Sequence, residues 1–263
     1  MLVLIGSRAR PPTGLGAADP SSDWDFQVAT TEPQILEDKA WLADIGSSPL
    51  AYVHRPGRLG SASKVSAVLA AGELDLVILP VRPLEQIAQL VQAGRQPTEP
   101  EARRALSDLA AVLAGGYRIL KGAKEFLGLY DWVKRELPPG RLEDDAVCRI
   151  AEGFVCDYVF TRRKVAQGEL LAAQRWLHQH LAEANFRLLH ELRLRRNEVS
   201  FPDARRLERL QDQSYESVKV AAMPDAPGLL AAVEHAASAH RELVAALLHK
   251  KWNWPALPLT PER

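Results

Sequence analysis

The hydrophobic period changes repeatedly along the first half of the chain. The opening run LVLIG is short, apolar and closed by glycine, which predicts a buried strand ending near Ile5. In DWDFQVAT, residues 23–30, strict alternation predicts a second strand with Asp23, Asp25 and Gln27 on one face and Trp24, Phe26 and Val28 on the other. The period then turns helical in PQILEDKAWLADIG, where Pro33 suits a first turn, Ile35, Leu36, Trp41 and Leu42 recur, and Gly46 supplies the stop. LAYVHRP predicts a third strand, and SKVSAVLA with ELDLVILPV predicts a hairpin turning at Ala71-Gly72. Alternation in the second hairpin strand groups Glu73, Asp75 and Val77 against Leu74, Leu76 and Ile78, leaving Asp75 a lone carboxylate in an apolar strand. PLEQIAQLVQAG and EARRALSDLAAVLAGG predict helices with a break over Pro97 to Pro100, and YRILKG a further strand of the same sheet. A mixed sheet with flanking helices thus fills roughly residues 1–125.

Beyond Pro138-Pro139-Gly140 the strand signals stop. Four segments, DAVCRIAEGFVCDYVFTRRKVAQ, GELLAAQRWLHQHLAEANFRLLHELRLRR, DARRLERLQDQSYESVKVAA and PGLLAAVEHAASAHRELVAALLHKKW, place apolar residues at three- and four-residue intervals and predict amphipathic helices. The expected fold class is α+β, with a catalytic sheet domain over residues 1–138 and a helical bundle over residues 139–263. A chain of 263 residues is long enough for two cores of this kind.

Composition narrows the class. The 47% hydrophobic and 25% charged residues are those of a globular protein, and no apolar run reaches the length of a membrane span. MLVLIG has neither the basic flank nor the cleavage pattern of a signal peptide, so a cytoplasmic location is expected. Of 33 basic and 33 acidic residues, 15 and 16 precede residue 140 and 18 and 17 follow it, so charge gives no support to a nucleic-acid partner. Cys148 and Cys156 are too few and wrongly spaced for a disulfide framework or a zinc site, and read as core or partly buried thiols.

Aspartate is a poor strand former and costly to bury alone, so three of them on two strands need a reason. A divalent cation supplies one: oxygen ligands suit Mg²⁺, and the ion offsets carboxylates that otherwise repel one another. Asp23 and Asp25, at i and i+2 on one face, share ions readily, and Asp75 completes the set if its strand lies beside theirs. Gly6-Ser7 adds a turn whose backbone N–H groups and hydroxyl can hold phosphate oxygens, with Arg8 as an assisting charge. The ordered set describes metal-dependent phosphoryl or nucleotidyl transfer.

Gly6-Ser7, then Asp23-Trp24-Asp25, then Asp75 resemble the pattern of the nucleotidyltransferase superfamily. More specifically, GSRARPP, SDWDFQVAT, ILEDKAWLADIG and ELDLVILPVRPLE look like the aminoglycoside 6-adenylyltransferase (streptomycin adenylyltransferase) family over roughly residues 3 to 90. RLEDDAVCRIAEGF and KVAQGELLAAQRWL are similar to helices of that family's second domain. The family opens on an additional helix, whereas this chain starts on the strand itself. The resemblance implies ATP as nucleotide donor, Mg²⁺, release of pyrophosphate, and a small-molecule antibiotic hydroxyl as acceptor. It assigns Asp23 and Asp25 to the metals and Ser7 to the triphosphate, and makes Asp75 a metal ligand or the base. Related enzymes also draw the base from the helical domain, where Glu152 is the candidate, and Arg163 or Lys164 would reach the phosphates.

A polycationic acceptor calls for acidic surface, and Glu143, Asp144, Asp145 and Asp157 are the expected patch in the helical half. His178 and His180 stand i and i+2 and do not share one helix face; they read as surface or interface residues. Trp176, Trp252 and Trp254 read as bundle anchors, and Arg193, Arg195 and Arg196 as a basic helix end. A monomer or weak homodimer is expected. The competing class is a regulatory, antitoxin-like nucleotidyltransferase acting on a protein partner, which the long fused helical half disfavours.

Overall fold

The structure is a computed structural model describing residues 1–46, 48–56, 62–95, 100–137, 141–210, 212, 214–249 and 251–257. The chain divides into two compact units, Met1–Gly140 and Arg141–Arg263. Pro138-Pro139-Gly140, where the domain boundary is expected, and most of the break over Pro97 to Pro100 lie outside the described residues.

Six strands form the first unit's sheet: β1 (Leu2–Ile5), β2 (Trp24–Thr30), β3 (Ala51–Arg55), β4 (Ser63–Leu69), β5 (Gly72–Pro80) and β6 (Tyr117–Lys121), in the order β3-β4-β5-β2-β1-β6. β2 and β5 run parallel and every other neighbouring pair is antiparallel. Alternation divides the residues as expected. Val3, Ile5 and Ala29 pack under α2 (Val81–Gln92), α3 (Pro100–Ala114) and α4 (Ala123–Glu136), against Leu84, Ala88, Leu106, Leu109, Phe126 and Leu129. Val65, Leu76 and Ile78 face the other way, joined by Phe26, Val28, Trp41 and Tyr52.

Three local readings change. The segment 33–46 is not one helix but a 3-10 turn, Pro33–Leu36, followed by the short α1, Trp41–Asp44. Asp38 interrupts it, its carboxylate accepting the Ala40 N–H, while the Tyr52 hydroxyl donates to the Leu36 carbonyl (2.8 Å) and accepts the Trp41 indole N–H (3.2 Å). The β4–β5 hairpin pairs Leu69 with Gly72, so its turn is Ala70-Ala71 and Gly72, at φ 132°, opens the strand. Helix α4 follows Gly122, which adopts the left-handed conformation, and ties itself to β2 where the buried Tyr130 hydroxyl donates to Gln27 Oε1.

The second unit is helical: α5 (Asp144–Ala166), α6 (Leu170–Trp176), α7 (Glu183–Arg195) and α8 (Ala226–Leu248), with a π turn, Leu177–Ala182, joining α6 to α7 without a break. Asp225 caps α8, accepting the Gly228 N–H at 2.7 Å. One core joins Val147, Leu188, Leu192, Leu243 and Leu247, and a second joins Phe154, Tyr158, Leu177, Leu181, Leu229 and Val233. The third expected helix, residues 203–222, is instead two 3-10 turns, Leu207–Arg209 and Ser214–Ser217, with Asp203, Ala204 and Arg206 at positive φ. Leu207, Leu210 and Val218 still reach the core, but buried Arg193 pulls the intervening chain inward. Its guanidinium donates to Asp212, to Ser214 Oγ (3.0 Å) and to the Val199 carbonyl (2.9 Å). Arg193 and Arg195 are therefore interior tethers at the end of α7 and not a solvated basic helix end. Cys148 is half-buried and Cys156 exposed, so the latter is not a core thiol.

Candidate metal and phosphate site

β1 ends at Ile5, opposite Asp25, and the chain turns immediately. Gly6 makes the turn possible: it sits at φ 73°, donates its N–H to the Gly116 carbonyl (3.1 Å), and has no room for a side chain. A Cβ there would overlap the Asp25 carboxylate, lying 3.2 Å from its Cγ. Ser7 opens a single 3-10 turn, Ser7–Ala9; it is 4% exposed, and its Oγ is buried without a hydrogen-bond partner. An orphaned buried hydroxyl costs free energy unless something binds it.

The long loop returning to β2 is pinned at several points. Arg10 Nε donates to the Gly115 carbonyl (2.5 Å) and Nη1 to Gly16 (3.2 Å), and Asp19 Oδ1 accepts from the Ser21 and Ser22 hydroxyls. Arg8 stacks over the Trp24 ring (4.2 Å) and donates to the carbonyls of Ser22 (2.5 Å) and Asp23 (3.0 Å). The charge expected to assist a phosphate thus also fixes the backbone that presents Asp23.

The parallel register of β2 and β5 sets Asp25 directly beside Asp75 on one sheet face. Neighbouring strands are about 4.8 Å apart, so this pairing alone brings the carboxyl groups within reach of one ion. Asp23 lies one pleat before Asp25, and oxygens of Asp23, Asp25 and Asp75 all fall within 4.8 Å of one another, each residue half-buried. The donor set is all oxygen, which fits Mg²⁺. Asp75 also has a partner that sequence reading missed: Lys64 Nζ lies 2.5 Å from its Oδ2. The signal was present in SKVSAVL, where alternation puts Lys64 and Ser66 on the polar face of β4, but recognising the pair requires the β4–β5 register.

The other predicted residues belong to the second unit. Glu152 and Arg163 are exposed on α5; with Cys156 and Val159 they follow at intervals of four, three and four and form one outward stripe. Along the helix axis Glu152 and Arg163 stand about 17 Å apart. Lys164 Nζ pairs with Glu169 (2.8 Å). The expected acidic patch is partly neutralised, because Asp144 meets Lys251 at 2.6 Å and Arg195 at 3.2 Å, which hold its carboxyl below the usual range. Asp157 accepts the Trp176 indole N–H (2.9 Å), and His180 stacks on that ring at 4.1 Å, so His180 is held against the helix pair by the Trp176 ring. Asp157 and His180 line a cleft of about 430 Å³ together with Arg149, Glu183 and Arg187, which carry both signs of charge.

No protein-family model and no curated protein sequence matches the chain. Among solved structures, the chain is similar to an aminoglycoside 6-adenyltransferase from Bacillus subtilis, at 14% identity and a TM-score of 0.41, over 89% of this chain and 83% of that one. It is similar also to a nucleotidyltransferase-like protein from Exiguobacterium sibiricum 255-15, at 12% identity and a TM-score of 0.33, over 93% of this chain and 69% of that one. No helix among the described residues is long and apolar enough to cross a membrane.

Proposed function

We propose that the protein is a metal-dependent nucleotidyltransferase that moves AMP from ATP to a hydroxyl of a small molecule, an aminoglycoside antibiotic being the acceptor class. The observation that carries the reading is the convergence of Asp23, Asp25 and Asp75 beside a glycine turn whose buried Ser7 hydroxyl has no partner. The acceptor class follows from the sequence resemblance over residues 3 to 90.

In this reading Asp23 and Asp25 would hold Mg²⁺, with Asp75 as third ligand or as base. When bound, such an ion would supply positive charge to offset that of the phosphates. The Ser7 hydroxyl donates to a phosphate oxygen, which removes its burial penalty. The absence of a side chain at Gly6 leaves the Asp25 carboxylate its place against the turn. The acceptor oxygen forms a bond to the α-phosphorus as that phosphorus's bond to the oxygen it shares with the β-phosphate breaks; the acceptor's proton passes to Asp75.

The test is direct. With ATP and Mg²⁺, the purified protein should release pyrophosphate when streptomycin or a related aminoglycoside is added, and mass spectrometry should find the antibiotic heavier by one AMP. Asp23→Asn and Asp25→Asn should each lower turnover on the order of 1000-fold while far-UV circular dichroism stays unchanged. No turnover across an aminoglycoside panel overturns the acceptor class. Full turnover in both variants overturns the metal site.

A further inference from the structure

We infer that the cleft of the second unit, between α5 and the run from the π turn into α7, is a separate ligand site built for a small zwitterion. It shares no residue with the metal and phosphate site and stands independently of the reaction proposed above.

The cleft has two ends of opposite charge. Helix α5 and the continuous run of α6, π turn and α7 form a hairpin that turns at Gly168 (φ 75°), so late residues of α5 lie beside the π turn and early ones beside the later turns of α7. Asp157 accordingly stands 3.8 Å from His180. Eight residues back along α5, about 12 Å along its axis, Arg149 lines the cleft with Arg187, and Glu183 lies between the ends. Glu183 and Arg187 have the i, i+4 spacing that favours pairing on a helix surface. Among the described residues, however, Arg149, Glu183 and Arg187 are exposed and join no ion pair or side-chain hydrogen bond.

Gly153, midway along the cleft, is an independent sign of a ligand. It stands inside a helix of 23 residues, where glycine is less stable than alanine, and a Cβ there would meet nothing within 4 Å. No neighbour requires the missing side chain; its effect is to keep the cleft open over the apolar floor of Ile150, Phe154 and Ala184. The volume of about 430 Å³ is that of a small-molecule site. Arg149, Gly153 and Asp157 lie roughly a quarter-turn round α5 from the outward stripe of Glu152, Cys156, Val159 and Arg163, so the two faces are distinct. A polyanion would meet the two carboxylates and a polycation the two guanidinium groups. The arrangement suits a molecule with an anionic group for Arg149 and Arg187, an ammonium for Asp157 and Glu183, and a short apolar body between: a free amino acid or a dipeptide.

Isothermal titration calorimetry of the whole chain, without ATP or Mg²⁺, against the free L-amino acids, glycylleucine and leucylglycine tests the site. At least one should bind with a dissociation constant below about 1 mM. Its N-acetylated and C-amidated forms should each bind at least tenfold more weakly, and so should the compound itself to the double variant Arg149→Gln, Arg187→Gln. Gly153→Leu should abolish binding at an equal or higher Tm, which separates loss of space from loss of fold. Asp23→Asn should bind as the native chain does, so the outcome here and that of the nucleotidyl-transfer assay are read apart. No binding across the panel, or binding undiminished in Gly153→Leu, would overturn the site. Equal binding of the N-acetylated or C-amidated form would overturn the zwitterion as its ligand.

Discussion

Ser7 presents opposite demands from folding and from ligand binding. Its hydroxyl is buried and unpartnered, so Ser7→Ala removes a desolvation cost without breaking a hydrogen bond. The variant should unfold at an equal or higher temperature, with a gain of about 1 kcal/mol. If the hydroxyl donates to a phosphate, the same variant should lose about 30-fold in kcat/KM for ATP, the value of one charge-assisted hydrogen bond. A calorimetric Tm and a steady-state assay on the same preparation check both. A lower Tm would mean that the hydroxyl has a structural partner. At this scale the site was legible in the sequence where alternation alone decides: Gly6, Ser7, Asp23, Asp25 and Asp75 all lie where spacing places them. Lys64 and the tethering role of Arg8 were not legible, since one depends on which strands pair and the other on where a loop folds back.

Helix α4 shows what a missed element does. Phe126, Leu129, Tyr130 and Val133 repeat at helical spacing and are buried, so the signal was present but diluted by Gly128 and Asp131 between them. Its polar ties to the sheet include the Tyr117 hydroxyl on Asp131 (2.6 Å) and the Tyr130 hydroxyl on Gln27, two residues from Asp25 on the same face of β2. Tyr130→Phe leaves the Gln27 oxygen buried without that donor and should cost about 1 to 3 kcal/mol, seen as a lower urea midpoint at unchanged m-value. The opposite error, a helix expected over residues 203–222, has a tertiary origin. The apolar spacing of Leu207 and Leu210 is helical, but Asp212 and Ser214 serve the buried Arg193 guanidinium, and no local pattern reveals a partner on α7. Long strands follow from period, as do helices whose apolar stripe is not diluted; a segment organised by one buried guanidinium does not.

Over the whole molecule, two buried titratable groups make stability depend on pH. His240 is fully buried, stacked on Phe154 at 3.7 Å with Nδ1 2.8 Å from Asn185 Oδ1, and burial pushes its pKa down to about 3. The unfolded chain protonates this histidine near pH 6.5 and the folded chain does not, so stability falls as pH drops below that value, by about 2 kcal/mol at pH 5. Glu191 acts in the same direction at lower pH. Burial opposes its ionisation, but the Leu142 N–H, Arg195 and Arg141 outweigh burial and hold it below the usual carboxylate range, so its contribution is present above about pH 4.5 and lost on acidification. Urea unfolding at pH 7, 6 and 5 should show a slope that His240→Gln flattens; an unchanged slope would assign the dependence elsewhere.

The in-register pairing of Asp25 with Asp75 gives the site a digital character. Sheet spacing is the same in every protein, so the gap between these two ligands is not a quantity that nearby packing mutations can tune by tenths of an ångström. It changes only in whole steps: a slip of one residue between β2 and β5 sends Asp75 to the opposite face of the sheet. Insertions or deletions within either strand should therefore act as an on-off switch for ion binding, while substitutions beneath the sheet alter how firmly the chain folds and leave the geometry of the folded site intact.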